Sequence, residues 1–266
     1  MASSSLKYTS KLANQRILVL GATSGIGFCV AEAAIEHGAQ LVISSSKQSN
    51  LDKTIARLKE TYPSQVEKQP ITSHVCDLSD VANLDTNLKS LFEAATNGGT
   101  IKLNHVVTTA GDTLPLSSLN EVTPEIIYAA MNIRFVGPAV MAKYIQKYIE
   151  SSPTSSFTIT TGVRAHKPAP GWSVVTGMAS GCEGLVRGLA VDLKPIRVNA
   201  VSPGAVHTEL FSQFPNVDSI LEIFRQSSLT GTVGKPEDLA ESYIYVMKDH
   251  FVTGTVIESN GGARLV

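Results

Sequence analysis

From Arg16 onward the chain alternates between short, strand-like runs rich in apolar residues and longer, helix-like segments. Runs of the first kind suit strands buried on both faces, and segments of the second suit helices packed on one side. The predicted strands are 16–20, 40–44, the run around Val75 that ends at Cys76-Asp77, then 103–108, 157–161, 198–201 and 255–258. The predicted helices are 25–37, 51–62, 81–95, 124–150, 172–193 and 236–247. Gly38 stops the first of these and Pro63 closes the second. Regular alternation of strand and helix predicts an α/β fold, one doubly wound parallel sheet flanked by helices.

Residues 1–13 lack this pattern and are expected to form a flexible tail, leaving 14–266 as a single domain. A chain of 266 residues is long enough for one full core. With 22 basic and 23 acidic residues the formal charge is −1, which argues against binding nucleic acid or a membrane surface through bulk charge. No apolar run is long enough to cross a bilayer, and the first residues lack the apolar core of a signal peptide, so a cytoplasmic location is expected. The three cysteines are scattered among apolar neighbours, as reduced, buried thiols would be, and no Cys or His spacing suggests a metal site.

Gly21-Ala22-Thr23-Ser24-Gly25-Ile26-Gly27 follows a predicted strand and opens a predicted helix. Glycines there let the backbone turn sharply and approach a pyrophosphate, while the helix start offers free N–H groups and a positive dipole end. Further along stand Thr108-Thr109-Ala110-Gly111, Asp77 after the third strand, and Ser202-Pro203-Gly204-Ala205-Val206-His207-Thr208. In spacing and order these segments resemble the short-chain dehydrogenase/reductase family over essentially residues 14–264. The resemblance implies a Rossmann-like fold and a nicotinamide cofactor. It assigns cofactor contacts to Gly21, Thr23, Ser24, Ile26, Asp77, Thr109, Ala110, Gly111, Pro203, Gly204, Val206 and Thr208, with Asn132 and Arg134 on the helix between. It also implies a homo-oligomer, dimer or tetramer, and a substrate lid over about 208–230.

The end of the second strand bears on which nicotinamide cofactor binds. NAD enzymes place an acid there for the ribose 2′-hydroxyl. Here Ser44-Ser45-Ser46-Lys47 supplies hydroxyls and one cation, with no acid before Asp52. Ser45, Ser46 and Lys47 suit a 2′-phosphate, so NADP(H) is expected; a solvated polar loop without selectivity is the plainer alternative.

The family's catalytic pair is missing. No tyrosine in the chain is followed four residues later by lysine, and the aligned positions are Val175 and Ala179. In the family the tyrosine protonates the substrate oxygen, the lysine tunes it, and a serine holds the oxygen; that serine falls near Thr161-Gly162. A ketone taking hydride becomes an alkoxide and needs a general acid. An iminium carbon does not, because it arrives charged and leaves neutral. Asn132-Ile133-Arg134 together with Lys167-Pro168-Ala169-Pro170-Gly171-Trp172 is similar to a fungal branch that also lacks the pair, the reductase/Diels–Alderases of malbrancheamide and paraherquamide type. That resemblance implies reduction of an iminium or similarly activated, bulky apolar alkaloid-type substrate in secondary metabolism, with a coupled pericyclic step. Arg134, Trp172 and Asn132 are its catalytic candidates. Ala169 stands where the branch has an aspartate.

Plainer roles remain open for these residues. Arg134 also suits a surface or subunit-interface cation, Trp172 a core cap, and Asn132 a helix-bend residue. His166 and Lys167 are exposed-loop residues or a replacement acid for a carbonyl reductase. A non-redox pericyclase scaffold, or an inactive dinucleotide-binding module, fits the same motifs. The apolar set Leu210, Phe211, Phe214, Ile220, Leu221, Ile223 and Phe224 is expected to cover a large, greasy pocket or to pack a contact.

Overall fold

The computed structural model describes residues 6–209 and 216–266. Seven parallel strands form one sheet in the order β3-β2-β1-β4-β5-β6-β7. They are β1 (Arg16–Leu20), β2 (Gln40–Ser45), β3 (Thr72–Val75), β4 (His105–Thr108), β5 (Ser156–Thr160), β6 (Arg197–Pro203) and β7 (Val256–Ser259). The helices are α1 (Gly25–Glu36), α2 (Gln48–Thr61), α3 (Pro63–Lys68), α4 (Leu84–Ala95), α5 (Pro124–Met131), α6 (Gly137–Tyr148), α7 (Ser173–Asp192), α8 (Val217–Gln226) and α9 (Pro236–Lys248). The chain winds outward from β1 to β3, returns, and winds the other way from β4. The carboxyl ends of β1 and β4 therefore flank the switch point where such sheets bind ligands.

Alternation along each strand feeds two cores. On β1, Leu18 and Leu20 pack with Leu88, Phe92, Ile145 and Val186 from α4, α6 and α7. Ile17 and Val19 pack on the other face with Val30, Leu51, Tyr243 and Ile244 from α1, α2 and α9.

Three expectations change. Residues 6–13 are anchored rather than loose: Leu12 is fully buried in the second core, and Lys11 Nζ donates to the Lys248 carbonyl at 2.8 Å. Pro63 does not simply end a helix; it occupies the first turn of α3, where its missing N–H costs nothing. The long helix 124–150 is interrupted by a π-helical turn over Asn132–Val136. Pro138 explains the interruption. It has no N–H for the Arg134 carbonyl four residues back, Gly137 N–H reaches instead to the Asn132 carbonyl, and the Cys182 thiol donates to the Arg134 carbonyl at 3.2 Å.

Among the described residues no helix is long and apolar enough to cross a membrane. Cys29, Cys76 and Cys182 are free and buried, and burial pushes each thiol up to about 12, so none is a ready thiolate.

Candidate active site

A cavity of about 530 Å³ opens at the carboxyl ends of the central strands. Its inner wall combines Ile26 at the start of α1, Thr109 and Ala110 after β4, Pro203 at the end of β6, and Gly204, Val206 and Thr208 beyond it. These residues, distant in sequence, share a wall because the glycines allow close approach. A Cβ on Gly21, whose φ is +83°, would lie 2.7 Å from the Ala110 nitrogen, and one on Gly27 would lie 2.3 Å from the Gly21 carbonyl oxygen. The Thr109 hydroxyl donates to the Leu20 carbonyl at 3.1 Å, which latches the β4 loop to β1.

The start of α1 is open to an anion. Ser24 at the N-cap makes no side-chain cap, and the Gly25 N–H donates to the Glu209 carboxylate at 2.9 Å. A carboxylate thus already uses the dipole end where a pyrophosphate fits. At the end of β2 the Thr23 and Ser45 hydroxyls lie 3.3 Å apart, Ser46 and Lys47 are exposed, and Lys47 stands at the start of α2. Asp52 lies in the second turn of α2 and accepts from Gln48. The residues present therefore fit a dinucleotide with a phosphorylated ribose. Asp77, beyond β3, accepts from the Ser79 N–H and hydroxyl at 2.9 and 2.6 Å through one oxygen.

The opposite wall is built from α7 and the loops before it. Val175 and Ala179, each 3% exposed, line the cavity with Met178. Neither can donate a proton. The hydroxyls behind them are engaged within the fold. Thr161 donates to the Ala179 carbonyl at 3.0 Å, and Thr160 donates to the Thr108 carbonyl at 2.8 Å while lying 2.6 Å from the Tyr243 hydroxyl. Tyr243 itself is fully buried, and desolvation raises its pKa well above the usual phenol range.

The three catalytic candidates are placed differently. Trp172 lines the cavity, set by a turn in which Gly171 has φ +79°. Arg134 also lines it, with Nη1 on Asp112 Oδ1 at 2.9 Å and its guanidinium flat against Gly111, where a Cβ would meet Nη2 at 2.3 Å. Gly111 is thus the floor on which Arg134 rests. Asn132 requires a correction: it is absent from the cavity wall, and its side chain donates to the Ser79 carbonyl at 3.1 Å. This bond ties the π-turn to the β3–α4 loop.

Of the two possible replacement acids, His166 pairs with the buried Glu183 at 2.8 Å and lies outside the cavity. Lys167 does line the cavity, but its ammonium donates to the Ala263 carbonyl at 2.7 Å and to the Val266 main-chain oxygen. Sequence reasoning missed Arg164. Its guanidinium carbon lies 4.8 Å from the centre of the Trp172 ring, and both side chains line the cavity. Burial lowers its pKa. In the expected lid, α8 contributes Phe224 to the cavity while Ile223 is exposed; Leu210, Phe211 and Phe214 lie outside the described residues. Among the described residues no cluster of His, Cys, Asp and Glu could hold a metal ion.

Residues 8–266 match the family of SDR-like Rossmann domains. The short-chain dehydrogenase/reductase malC of Malbranchea aurantiaca is 44% identical over 256 residues, 96% of each chain. The short-chain dehydrogenase/reductase fsr5 of Gibberella fujikuroi is 42% identical, covering 97% of this chain and 98% of its own. Among solved structures, the MalC reductase/Diels–Alderase of Malbranchea aurantiaca superposes with a TM-score of 0.91 at 43% identity, covering 98% of this chain and 99% of that one. A small-chain dehydrogenase in complex with NADPH gives 0.74 at 25% identity, covering 95% and 100%. The chain belongs to the short-chain dehydrogenase/reductase family.

Proposed function

We propose that the protein is an NADP(H)-dependent reductase of fungal secondary metabolism acting on a bulky, apolar acceptor that arrives already activated, as an iminium ion or a similarly electron-poor conjugated group. One observation carries this reading: Val175 and Ala179 form the cavity wall where the family's proton donor and its lysine would stand. The neighbouring hydroxyls of Thr160 and Thr161 are committed to the fold.

When bound, the reduced dinucleotide supplies a hydride. The chain's residues do the positioning. Gly21, Ser24 and the amide of Gly25 would receive the pyrophosphate, Ser45, Ser46 and Lys47 the 2′-phosphate, and Pro203, Gly204, Val206 and Thr208 the nicotinamide side. Val175, Met178, Leu114 and Trp172 exclude water and accept a large apolar body. The similar MalC protein is a reductase/Diels–Alderase, and the chamber of this chain suits a ring closure that follows reduction without further chemistry from the protein.

Lys167 supports a second reading. Its ammonium borders the cavity, and release from the Ala263 carbonyl would give a carbonyl reductase its acid. Following NADPH consumption with a preformed cyclic iminium ion, a conjugated ketone and a saturated ketone of equal bulk separates the two. The first reading expects turnover of one or both activated acceptors and none of the saturated ketone. Steady saturated-ketone turnover, abolished by Lys167→Met, assigns the second. Tight NADPH binding with no turnover of any acceptor removes both.

A further inference from the structure

The cavity has an uneven charge inventory. Among the described residues its charged lining is Arg134, Arg164, Lys167 and Asp238, three cations against one acid. Two of the cations are already satisfied, Arg134 by the Asp112 carboxylate and backbone carbonyl, and Lys167 by the main-chain oxygens of Ala263 and Val266. Arg164 differs. Among the described residues its one hydrogen bond runs from Nη1 to the Lys167 carbonyl at 3.2 Å, and no carboxylate lies within ion-pair distance of it. A guanidinium has five N–H donors in a planar fork, so most of its capacity is unused.

The loop that carries it is fixed. Arg164 sits in a short 3₁₀ turn, Val163–Ala165. Ser180 on α7 donates to the Ala165 carbonyl at 3.1 Å, the next residue, His166, pairs with Glu183, and the Lys167 amide closes onto the Val163 carbonyl at 2.9 Å. Trp172 lies under the guanidinium as a flat, polarizable support. A half-buried cation held over an aromatic ring at a chamber wall is a built recognition element.

We infer that Arg164 and Trp172 form the substrate platform, and that it takes a planar, conjugated acceptor through a carbonyl or anionic oxygen rather than a permanent cation. This rests on the proposed reading of the cavity as the substrate chamber and narrows it from two kinds of activated acceptor to one. The assignment agrees with the missing acid. A guanidinium donates hydrogen bonds but does not give up its proton, so it holds an oxygen that gains negative charge without acting as a general acid. A cationic acceptor would meet an unneutralised guanidinium with Ala169, a methyl group, in the same loop. Arg164 is a specificity-determining residue in this account, and Arg134, locked onto Asp112 and Gly111, shapes the mouth.

The test uses the full chain and its single tryptophan, whose indole N–H gives one resonance in a ¹H–¹⁵N spectrum. Three bicyclic aromatic probes of similar size are titrated without cofactor: 2-naphthoate, 2-acetylnaphthalene and N-methylquinolinium. The inference expects 2-naphthoate and 2-acetylnaphthalene to shift the indole signal, with N-methylquinolinium at least about tenfold weaker than 2-naphthoate. Arg164→Met, which keeps the stem over Trp172, should weaken 2-naphthoate about tenfold and leave N-methylquinolinium no weaker. Arg164→Lys should recover part of the anion affinity. The same spectra report whether each variant is folded. N-methylquinolinium binding as tightly as 2-naphthoate, or 2-naphthoate binding unchanged in Arg164→Met, overturns the inference and leaves the reductase reading standing. No shift with any probe overturns the chamber reading itself.

Discussion

Thr161 occupies the neighbourhood where the family keeps its substrate-holding serine, yet its hydroxyl donates to the Ala179 carbonyl at 3.0 Å. Replacing it with valine removes that hydrogen bond while preserving shape, so no cavity term enters. A single hydrogen bond of this kind contributes about 0.5–1.5 kcal/mol net. In a chain of this size about 1 kcal/mol corresponds to a fall in Tm of about 2–4 °C. Had the hydroxyl served the reaction, its loss would remove a positioned proton-transfer partner, an effect of about 10²–10⁴ in rate. The two roles therefore differ by at least an order of magnitude in what each assay reads. A thermal melt and a steady-state NADPH oxidation assay on Thr161→Val should show the small destabilisation and a kcat within about threefold of wild type. A hundredfold loss of kcat with an unchanged melt would refute the claim that this hydroxyl is structural.

The Glu209 carboxylate occupies the α1 amino terminus through the Gly25 N–H, so Glu209→Gln should tighten NADPH binding about two- to fivefold, the effect of removing a competing anion worth about 0.3–1 kcal/mol, as read by cofactor fluorescence titration. Lys47→Ala should weaken NADPH much more than NADH in the same titration; equal losses would mean that the end of β2 does not read the 2′-phosphate. His105, buried on β4 beside the Ser156 hydroxyl, is held down to about 3, first by desolvation and then by Arg197 and His250. The unfolded chain takes up this proton near 6.5 and the folded chain does not, so stability from this residue is complete above 6.5 and lost as pH falls toward 3. Denaturant titrations across that window should show a slope of up to about 1.4 kcal/mol per pH unit that His105→Asn flattens.

The central strands were readable because they are largely apolar on both faces and end at glycines or small polar residues, a pattern set by local chemistry, whereas the edge strand β3, Thr72-Ser73-His74-Val75, carries no such pattern. Leu12 escaped notice because one apolar residue in a polar stretch has no period; only docking against the second core makes it structural. The break in the long helix was written in Gly137-Pro138, since proline deprives the Arg134 carbonyl of its N–H partner, but the placement of the Asn132 side chain depends on Ser79 from another loop. Arg164 stands in an aperiodic loop. Its importance comes from a tryptophan eight positions on and from a cavity wall contributed by segments far apart in the chain, and nothing in local spacing reports that. Val175 and Ala179 were legible as a loss, while the commitment of the neighbouring hydroxyls to Ala179 and Thr108 was visible only in three dimensions.

The central claim is that no group of this protein gives a proton as the hydride arrives. It is tested most directly by single-turnover NADPH oxidation with an activated acceptor, run from about pH 6 to about pH 9 in H₂O and D₂O. The account predicts a rate that is flat across this range and a solvent isotope effect near unity. A rate that falls toward high pH with a substantial solvent isotope effect, both lost in Lys167→Met, would contradict it and identify the acid.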